Sequence, residues 1–289
     1  MGRFAPSPTG SLHLGSLVAA LGSFVDARSR GGRWLLRMED LDAARVIKGC
    51  ADQMLRTLEA LGLTWDGEVA CQSERTAHYR QALERLAALG LTFECSCSRS
   101  ERFTASAYPG TCRAGPRRPG PAATRFRVSE RTVAFADRVQ GRLAFALGER
   151  GDVIVRRRDG AFAYQLAVVV DDALQGVSDV VRGADLIDST PWQIALQEAL
   201  GLPTPRYAHL PLVTEPGGAK LSKSRRAIAL EPAAAGRELH RALVLLRQAP
   251  PAKLKFESAT TVLEWACAHW SLDRIGGLKE VPAAAGGRS

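Results

Sequence analysis

No stretch of this chain is long and apolar enough to cross a bilayer; the longest apolar run near the start, Leu17 to Val25, falls well short of the roughly 20 residues a spanning helix needs. No basic segment precedes that run, so nothing directs export. Met1-Gly2 does not begin a myristoylation signal, because Pro6 stands where Ser or Thr is required. Acid is in deficit: 30 Asp and Glu face 39 Lys and Arg, a net charge of +9, which favours a polyanionic partner such as nucleic acid. Aromatics make up 6% of the residues, and internal repeats are lacking. The six cysteines are too unevenly placed for a disulfide framework: three cluster, while Cys50, Cys71 and Cys267 stand alone and read as structural. That pattern indicates metal chemistry in a reducing compartment, so a cytoplasmic location is expected. With 46% hydrophobic residues in 289, the chain can bury a substantial core in one or two domains.

Hydrophobic spacing gives the order of elements. A strand at the start runs into the Pro/Gly turn that ends at Gly10, and Leu12 to Ala27 is apolar at helical spacing. Arg33 to Met38 reads as a strand ending in the acidic run Glu39-Asp40-Leu41-Asp42, and Lys48 to Leu61 as an amphipathic helix. Two such βα units predict a parallel sheet. A further helix is expected from Glu74 to Leu89, then an irregular Pro/Gly/Arg-rich segment from Arg113 to Ala123. Four short β-prone runs follow between Arg125 and Val155. The α/β pattern returns from Ala163, and two helices, Pro232 to Arg247 and Thr260 to Ala268, are expected before a Gly/Ala tail.

Two motifs carry chemistry. In the first, Arg3-Phe4-Ala5-Pro6-Ser7-Pro8-Thr9-Gly10-Ser11-Leu12-His13-Leu14-Gly15-Ser16, His13 and Gly15 fall at a helix N-terminus, where the dipole and unpaired amides suit a phosphate chain. Gly15 is expected to let the nucleotide approach, and Pro6, Pro8 and Gly10 to shape the turn. The second is Lys220-Leu221-Ser222-Lys223-Ser224, preceded by Gly217-Gly218. Taken singly, the first could be a turn that opens a core helix, and the second a solvated basic loop.

Together, and in this order, the motifs resemble class I aminoacyl-tRNA synthetases. His13-Leu14-Gly15-Ser16 is similar to their HIGH region, with Ser16 at the second histidine position. Lys220-Leu221-Ser222-Lys223-Ser224 is similar to their KMSKS loop, with Leu for Met, and Pro6-Ser7-Pro8-Thr9-Gly10 is similar to the glutamyl branch. The resemblance covers roughly residues 1 to 230. It implies an α/β fold: a Rossmann-type, parallel-sheet catalytic core split by a zinc-containing insertion, with a short C-terminal helical segment. The divisions expected are 1–94 and 156–230 for the two halves of the core, 95–155 for the insertion and 231–289 for the terminal helices and a flexible tail.

The resemblance also implies site residues. His13, Gly15 and Lys223 would be catalytic, and His13, Gly15, Ser16, Lys220, Ser222 and Lys223 would bind ATP with Mg²⁺. Arg3, Phe4, Ala5, Pro6, Ser7, Glu39, Tyr164 and Arg182 would bind L-glutamate, with Arg3 and Ser7 at the carboxylate end and Glu39 on the α-ammonium. A free glutamate does require both cationic and anionic partners. Each of these has an ordinary structural alternative: Arg3 as a surface charge, Glu39 as a helix-start acid, Tyr164 as a core aromatic, Arg182 as an ion-pair partner of Asp185.

Cys95-Ser96-Cys97 and Tyr108-Pro109-Gly110-Thr111-Cys112 place three thiols and a phenol close in sequence, and three thiolates need one more donor for tetrahedral zinc. From the residues alone that donor could be Tyr108, a water or His78. The resemblance to glutamyl-Q-tRNA(Asp) synthetases assigns the zinc to Cys95, Cys97, Tyr108 and Cys112, one structural ion per chain. Only 65 residues follow Ser224 in the 289-residue chain, short for an anticodon-reading domain. The expected activity is therefore tRNA-independent activation of glutamate and its transfer to queuosine in the anticodon loop of tRNA(Asp), by a ligase expected to be monomeric. Alternatives are a compact glutamyl-tRNA synthetase charging a tRNA 3′ end and a catalytically silent RNA-binding paralogue.

Overall fold

The computed structural model describes residues 1–98, 107–215 and 230–283. Its first part runs β1 (Gly2–Phe4), α1 (Leu14–Arg28), β2 (Trp34–Met38), α2 (Cys50–Ala60), β3 (Ala70–Cys71), α3 (Thr76–Ala88) and β4 (Thr92–Cys95). Then come β5 (Ala123–Phe126), β6 (Thr132–Asp137), β7 (Gly141–Ala146), α4 (Leu147–Arg150) and β8 (Val153–Arg156). The chain continues through α5 (Tyr164–Leu174), β9 (Asp179–Gly183), α6 (Thr190–Leu200), β10 (Arg206–Leu210) and β11 (Leu212–Thr214), and closes with α7 (Ala235–Leu245), α8 (Ala259–His269) and β12 (Glu280–Pro282).

β1, β2 and β3 pair in parallel, with Phe4 opposite Leu36 and Met38 opposite Cys71. β9 and β10 also pair in parallel, from Asp179 opposite Arg206 to Gly183 opposite Leu210. The two groups meet where the Ser178 and Asp179 amides donate to the Met1 carbonyl, at 3.0 and 3.1 Å. The resulting order β3-β2-β1-β9-β10 is the doubly wound arrangement, whose direction of winding reverses between β1 and β9. Ligands of such sheets bind outside the carboxyl ends of the strands at that reversal.

α1 follows β1 and is buried on nearly all sides, with Leu14, Leu17, Val18, Ala20, Leu21, Phe24 and Val25 among its buried residues. Such a helix must be enclosed by protein, and α7 and α8 complete the enclosure: Leu239, Leu243, Val262 and Ala266 join Leu17 and Leu21 in one core. At Gly22 the missing side chain matters, because a Cβ there would stand 2.4 Å from Leu210 Cδ1. β12 returns to pair with β11, Val281 opposite Val213.

The β-prone runs between Arg125 and Val155 are divided between two sheets. β5 and β8 join β4 in an antiparallel sheet beside the cysteine cluster. The β6–β7 hairpin instead lies at the edge of the main sheet, where Asp137 is opposite Tyr207 of β10.

Candidate functional site

At the carboxyl ends of β1, β2 and β9 lies a group of buried charges. Arg37 sits inside β2 with no solvent exposure, and a buried cation must be compensated. Asp172 Oδ1 of α5 stands 2.9 Å from Arg37 Nη2 and accepts from Arg3 Nε at 3.3 Å. Arg37 Nη1 donates to Gln175 Oε1 at 2.6 Å, and Asp171 lies 3.8 Å from Arg37 Nε. The close approaches of Nε and Nη2 are charge contacts without a directed hydrogen bond. Asp171 is fully engaged, accepting from Gln72, Arg75 and Tyr79 at 2.9, 2.6 and 2.7 Å. Burial works against ionisation of Asp172, yet Arg3 and Arg37 hold its carboxyl below the ordinary range.

Glu39, at the end of β2, is 3.6 Å from Arg37 and 12% exposed. Burial pushes its carboxyl up to about 7, against the pull of Arg37 and Arg3. Tyr164 opens α5, and its phenol, raised by burial, feels Arg182, Glu39, Arg3 and Asp172 together. Arg3, Glu39, Tyr164 and Arg182 thus share one neighbourhood. Arg182 donates to His209 Nε2 at 3.1 Å, Tyr164 Oη at 3.3 Å, Thr190 Oγ1 at 2.8 Å and the Leu186 carbonyl at 3.4 Å. A guanidinium has five N–H groups, so one on Nη1 is left over. Arg3 Nη2 also has no protein partner among the described residues.

The rest of the first motif frames this group. Phe4 stacks on Trp34, with ring centroids 6.3 Å apart. Ala5 is half-buried, the Pro6 carbonyl accepts from the Glu39 amide at 2.9 Å, and Ser7 is exposed. The Pro8 carbonyl accepts from Ile47 at 3.0 Å. Gly10 has open space where its Cβ would be, so the turn does not demand glycine there.

His13 caps α1. Its Nδ1 accepts from the Gly15 and Ser16 amides at 3.1 and 3.3 Å, so two of the helix-start donors are used by the ring itself. With burial lowering its pKa, the imidazole is neutral and carries its proton on Nε2 as a free donor. A Cβ on Gly15 would stand 3.0 Å from the His13 ring; the glycine makes room for this cap. Gly15 also lies against Val213 of β11. Lys220, Ser222 and Lys223 lie outside the described residues, as do Gly217 and Gly218.

Cys95, Cys97 and Cys112 place their sulfurs within 4.8 Å of one another, close enough to hold a metal ion. The Tyr108 hydroxyl lies 3.4 Å from Cys95 Sγ and 3.9 Å from Cys97 Sγ, and accepts from the Cys112 amide at 2.8 Å. The Arg125 guanidinium covers the Tyr108 ring at 3.7 Å. Three soft donors and an oxygen in one cluster form a donor set that zinc accepts.

Residues 1–235 match the family described as tRNA synthetases class I (E and Q), catalytic domain. The chain belongs to this family. Among curated relatives, the glutamyl-Q tRNA(Asp) synthetase of Ectopseudomonas mendocina (strain ymp) is 55% identical over 277 residues, 95% of this chain and 94% of that protein. The protein of the same name from Dechloromonas aromatica (strain RCB) is 53% identical over 285 residues, covering 95% of each chain. The Pseudomonas aeruginosa PAO1 protein, also so named, is 52% identical over 95% of this chain and 94% of its own. Among solved structures, the glutamate-tRNA synthetase from Elizabethkingia anophelis superposes with a TM-score of 0.81 at 22% identity, covering 97% of this chain and 67% of that one. That likeness shows the fold. A class I synthetase is a ligase that uses ATP with Mg²⁺. Among the described residues, no helix is long and apolar enough to cross a membrane.

Several residues of the family site escaped the sequence reading: Arg37, Asp171, Asp172, Asp137, Thr190 and His209. Two had a signal. A charge inside the apolar run Trp34-Leu35-Leu36-Arg37-Met38 and an acid pair ending Val168-Val169-Val170-Asp171-Asp172 both require buried partners.

Replacing Asp172 would leave Arg3 and Arg37 undercompensated. Asp172→Asn is expected to lose about 3–5 kcal/mol of stability at neutral pH, read from urea unfolding. Because the folded-state pKa of Asp172 is depressed, its contribution is present above about pH 4 and fades as pH falls further. The variant's stability should therefore decline less steeply with acidification below pH 4.

Proposed function

We propose that the chain activates L-glutamate with ATP, without needing tRNA, and transfers the glutamyl group to queuosine in the anticodon loop of tRNA(Asp). The observation that carries the glutamate reading is the convergence of Arg3, Glu39, Tyr164 and Arg182 at the strand-order reversal of the sheet. The queuosine reading is carried by relatives at 51–55% identity, aligned over nearly their whole length, whose printed name is glutamyl-Q tRNA(Asp) synthetase.

In this reading the amino acid lies over the ends of β1, β2 and β9. The uncommitted N–H groups of Arg3 and Arg182 meet carboxylate oxygens, Glu39 takes the α-ammonium and Tyr164 closes the side. Phe4, Ala5, Pro6 and Ser7 form the adjoining wall. A glutamate carboxylate oxygen attacks the α-phosphorus of ATP as the bond to the bridging oxygen breaks and pyrophosphate leaves. His13, through Nε2–H, and Lys220, Ser222 and Lys223 stabilise the phosphate charge, with Gly15 and Ser16 shaping the helix start. Mg²⁺ supplies further neutralisation of the pyrophosphate when bound. In the second step a nucleophile of queuosine attacks the activated carbonyl and AMP departs.

A zinc ion held by Cys95, Cys97, Tyr108 and Cys112 would pin the segment around Tyr108–Cys112 to β4, a structural role apart from the chemistry. The cytoplasm and a monomeric state complete the reading.

Glutamate-dependent ATP–pyrophosphate exchange without tRNA is expected for the wild type. It should fall by about 10²- to 10³-fold in Arg182→Ala, the scale for removing a buried charge partner. Labelled glutamate should reach tRNA(Asp) containing queuosine and not the queuosine-free transcript. Equal transfer to both would sink the modification reading, and transfer to the 3′ end would replace it with tRNA charging.

With Glu39 protonated below about pH 7, the free enzyme lacks the anion for the α-ammonium, so kcat/KM for glutamate should rise as pH increases through that value. In Glu39→Gln this rise should vanish and kcat/KM at pH 8 should drop by about 10- to 100-fold, the equivalent of ~1.5–3 kcal/mol for a hydrogen bond to a charged group. An unchanged profile would remove Glu39 from the ammonium site. Elemental analysis should find one zinc per purified chain and none in Cys112→Ser; a protein purified without metal, with unaltered stability on chelation, would refute the zinc reading.

A further inference from the structure

His209 and Asp137 belong to no motif, yet both are buried against Arg182. The imidazole is entirely enclosed. Its Nδ1 stands 2.6 Å from Asp137 Oδ2, and its Nε2 lies 3.1 Å from Arg182 Nε. Tyr207 stacks on the ring at 6.0 Å with planes 10° apart, and the same Tyr207 ring lies under the Arg182 guanidinium at 5.3 Å. Every other contact of Arg182 is to a hydroxyl or a carbonyl; the one to His209 is the contact whose sign depends on where a proton sits.

A guanidinium can only donate. Nε2 must therefore be bare, which puts the single imidazole proton on Nδ1, facing the carboxylate. If the proton were on Nε2, two N–H groups would oppose each other at 3.1 Å in a dry site, each losing its partner. Burial keeps His209 neutral, and Arg182 pushes the same way, against the hydrogen bond to Asp137. Asp137 is itself immobilised: Oδ1 accepts from the amides of Val139, Gln140 and His209 at 3.0, 2.8 and 3.2 Å, which leaves Oδ2 for the ring.

We propose that Asp137 and His209 are positioning residues for Arg182: the carboxylate selects the Nδ1–H tautomer, and the bare Nε2 fixes the plane of the guanidinium that meets the substrate carboxylate. The inference rests on the reading of Arg182 as a glutamate-binding residue. It assigns the β6–β7 hairpin a part in amino-acid recognition, because Asp137 is the last residue of β6 and reaches His209 through the pairing of β6 with β10.

The geometry dictates an unusual outcome for Asp137→Asn, a change of one atom. Three backbone N–H groups hold the amide oxygen in the Oδ1 place, so the NH₂ group occupies the Oδ2 place and donates to His209 Nδ1. The ring proton is then driven to Nε2, against Arg182. The variant should raise the glutamate KM at least ten-fold and leave the ATP KM within two-fold. His209→Gln presents an amide oxygen near the Nε2 position and should keep the glutamate KM within about three-fold of wild type, whereas His209→Asn, too short to reach Arg182, should raise it as Asp137→Asn does. In the His209→Gln background, Asp137→Asn should add little, since no tautomer remains to invert.

A purely structural role for the pair would instead give equal penalties for Asp137→Asn in both backgrounds, and that result would overturn the proposal. Nitrogen-15 chemical shifts of the wild-type imidazole supply a readout that survives if a variant fails to fold: Nδ1 protonated with Nε2 bare supports the tautomer, and the reverse refutes it. Arg182→Ala separates the two levels. If it retains wild-type glutamate affinity, the glutamate reading of Arg182 fails first; if it loses that affinity while Asp137→Asn does not, the positioning proposal alone fails.

Discussion

A buried guanidinium organises this protein. Arg37 lies inside β2 with no access to water, and a cation in that position is tolerated only where the fold delivers anions to it. Asp171 and Asp172 of α5 are those anions. Meeting them sets how far α5 slides along the sheet, and the same slide sets Tyr164, about two turns earlier on that helix. Asp172 is shared with Arg3 of β1, so the helix grips two neighbouring strands at the strand-order reversal.

That arrangement leaves the site incompletely neutralised by its own residues. Asp171 accepts three hydrogen bonds and has no capacity to spare. Glu39 stands farther from Arg37 than Asp172 does, at 3.6 against 2.9 Å, and burial raises its carboxyl. It is the acid in the group least satisfied by protein cations. Arg3 and Arg182, conversely, keep N–H groups unassigned. A zwitterion with an additional carboxylate supplies what each lacks, an ammonium for the acid and oxygens for the arginines.

Much of the main architecture was legible in the chain. Apolar spacing placed α1 and β2 close to their observed bounds, and the helices expected at Pro232–Arg247 and Thr260–Ala268 are found as α7, Ala235–Leu245, and α8, Ala259–His269. The three thiols and Tyr108 were legible because ligands crowded in sequence are crowded in space when the segment turns back on itself. The β-prone runs from Arg125 to Val155 were not sortable. Alternation specifies which face of a strand is buried, not which neighbour completes its hydrogen bonds, and here β5 and β8 go to one sheet while β6 and β7 go to another. His13 shows a finer gap: its place at the start of α1 was readable, but the ring turned inward to cap the helix.

The sequence by itself determined the chemistry available: a helix start bearing His13 and Gly15, a lysine motif, arginines and an acid suited to a charged amino acid, and a thiol cluster. These are local properties, decided by residue type and by spacing within a few turns of chain. The tertiary structure decided which charges meet. Arg3 finds Asp172 and Arg182 finds His209 and, through it, Asp137, pairs whose partners lie far apart along the chain. Nothing in local propensity encodes such pairings. They follow from the order in which strands enter the sheet, and from the cost of leaving any one of these charges buried alone.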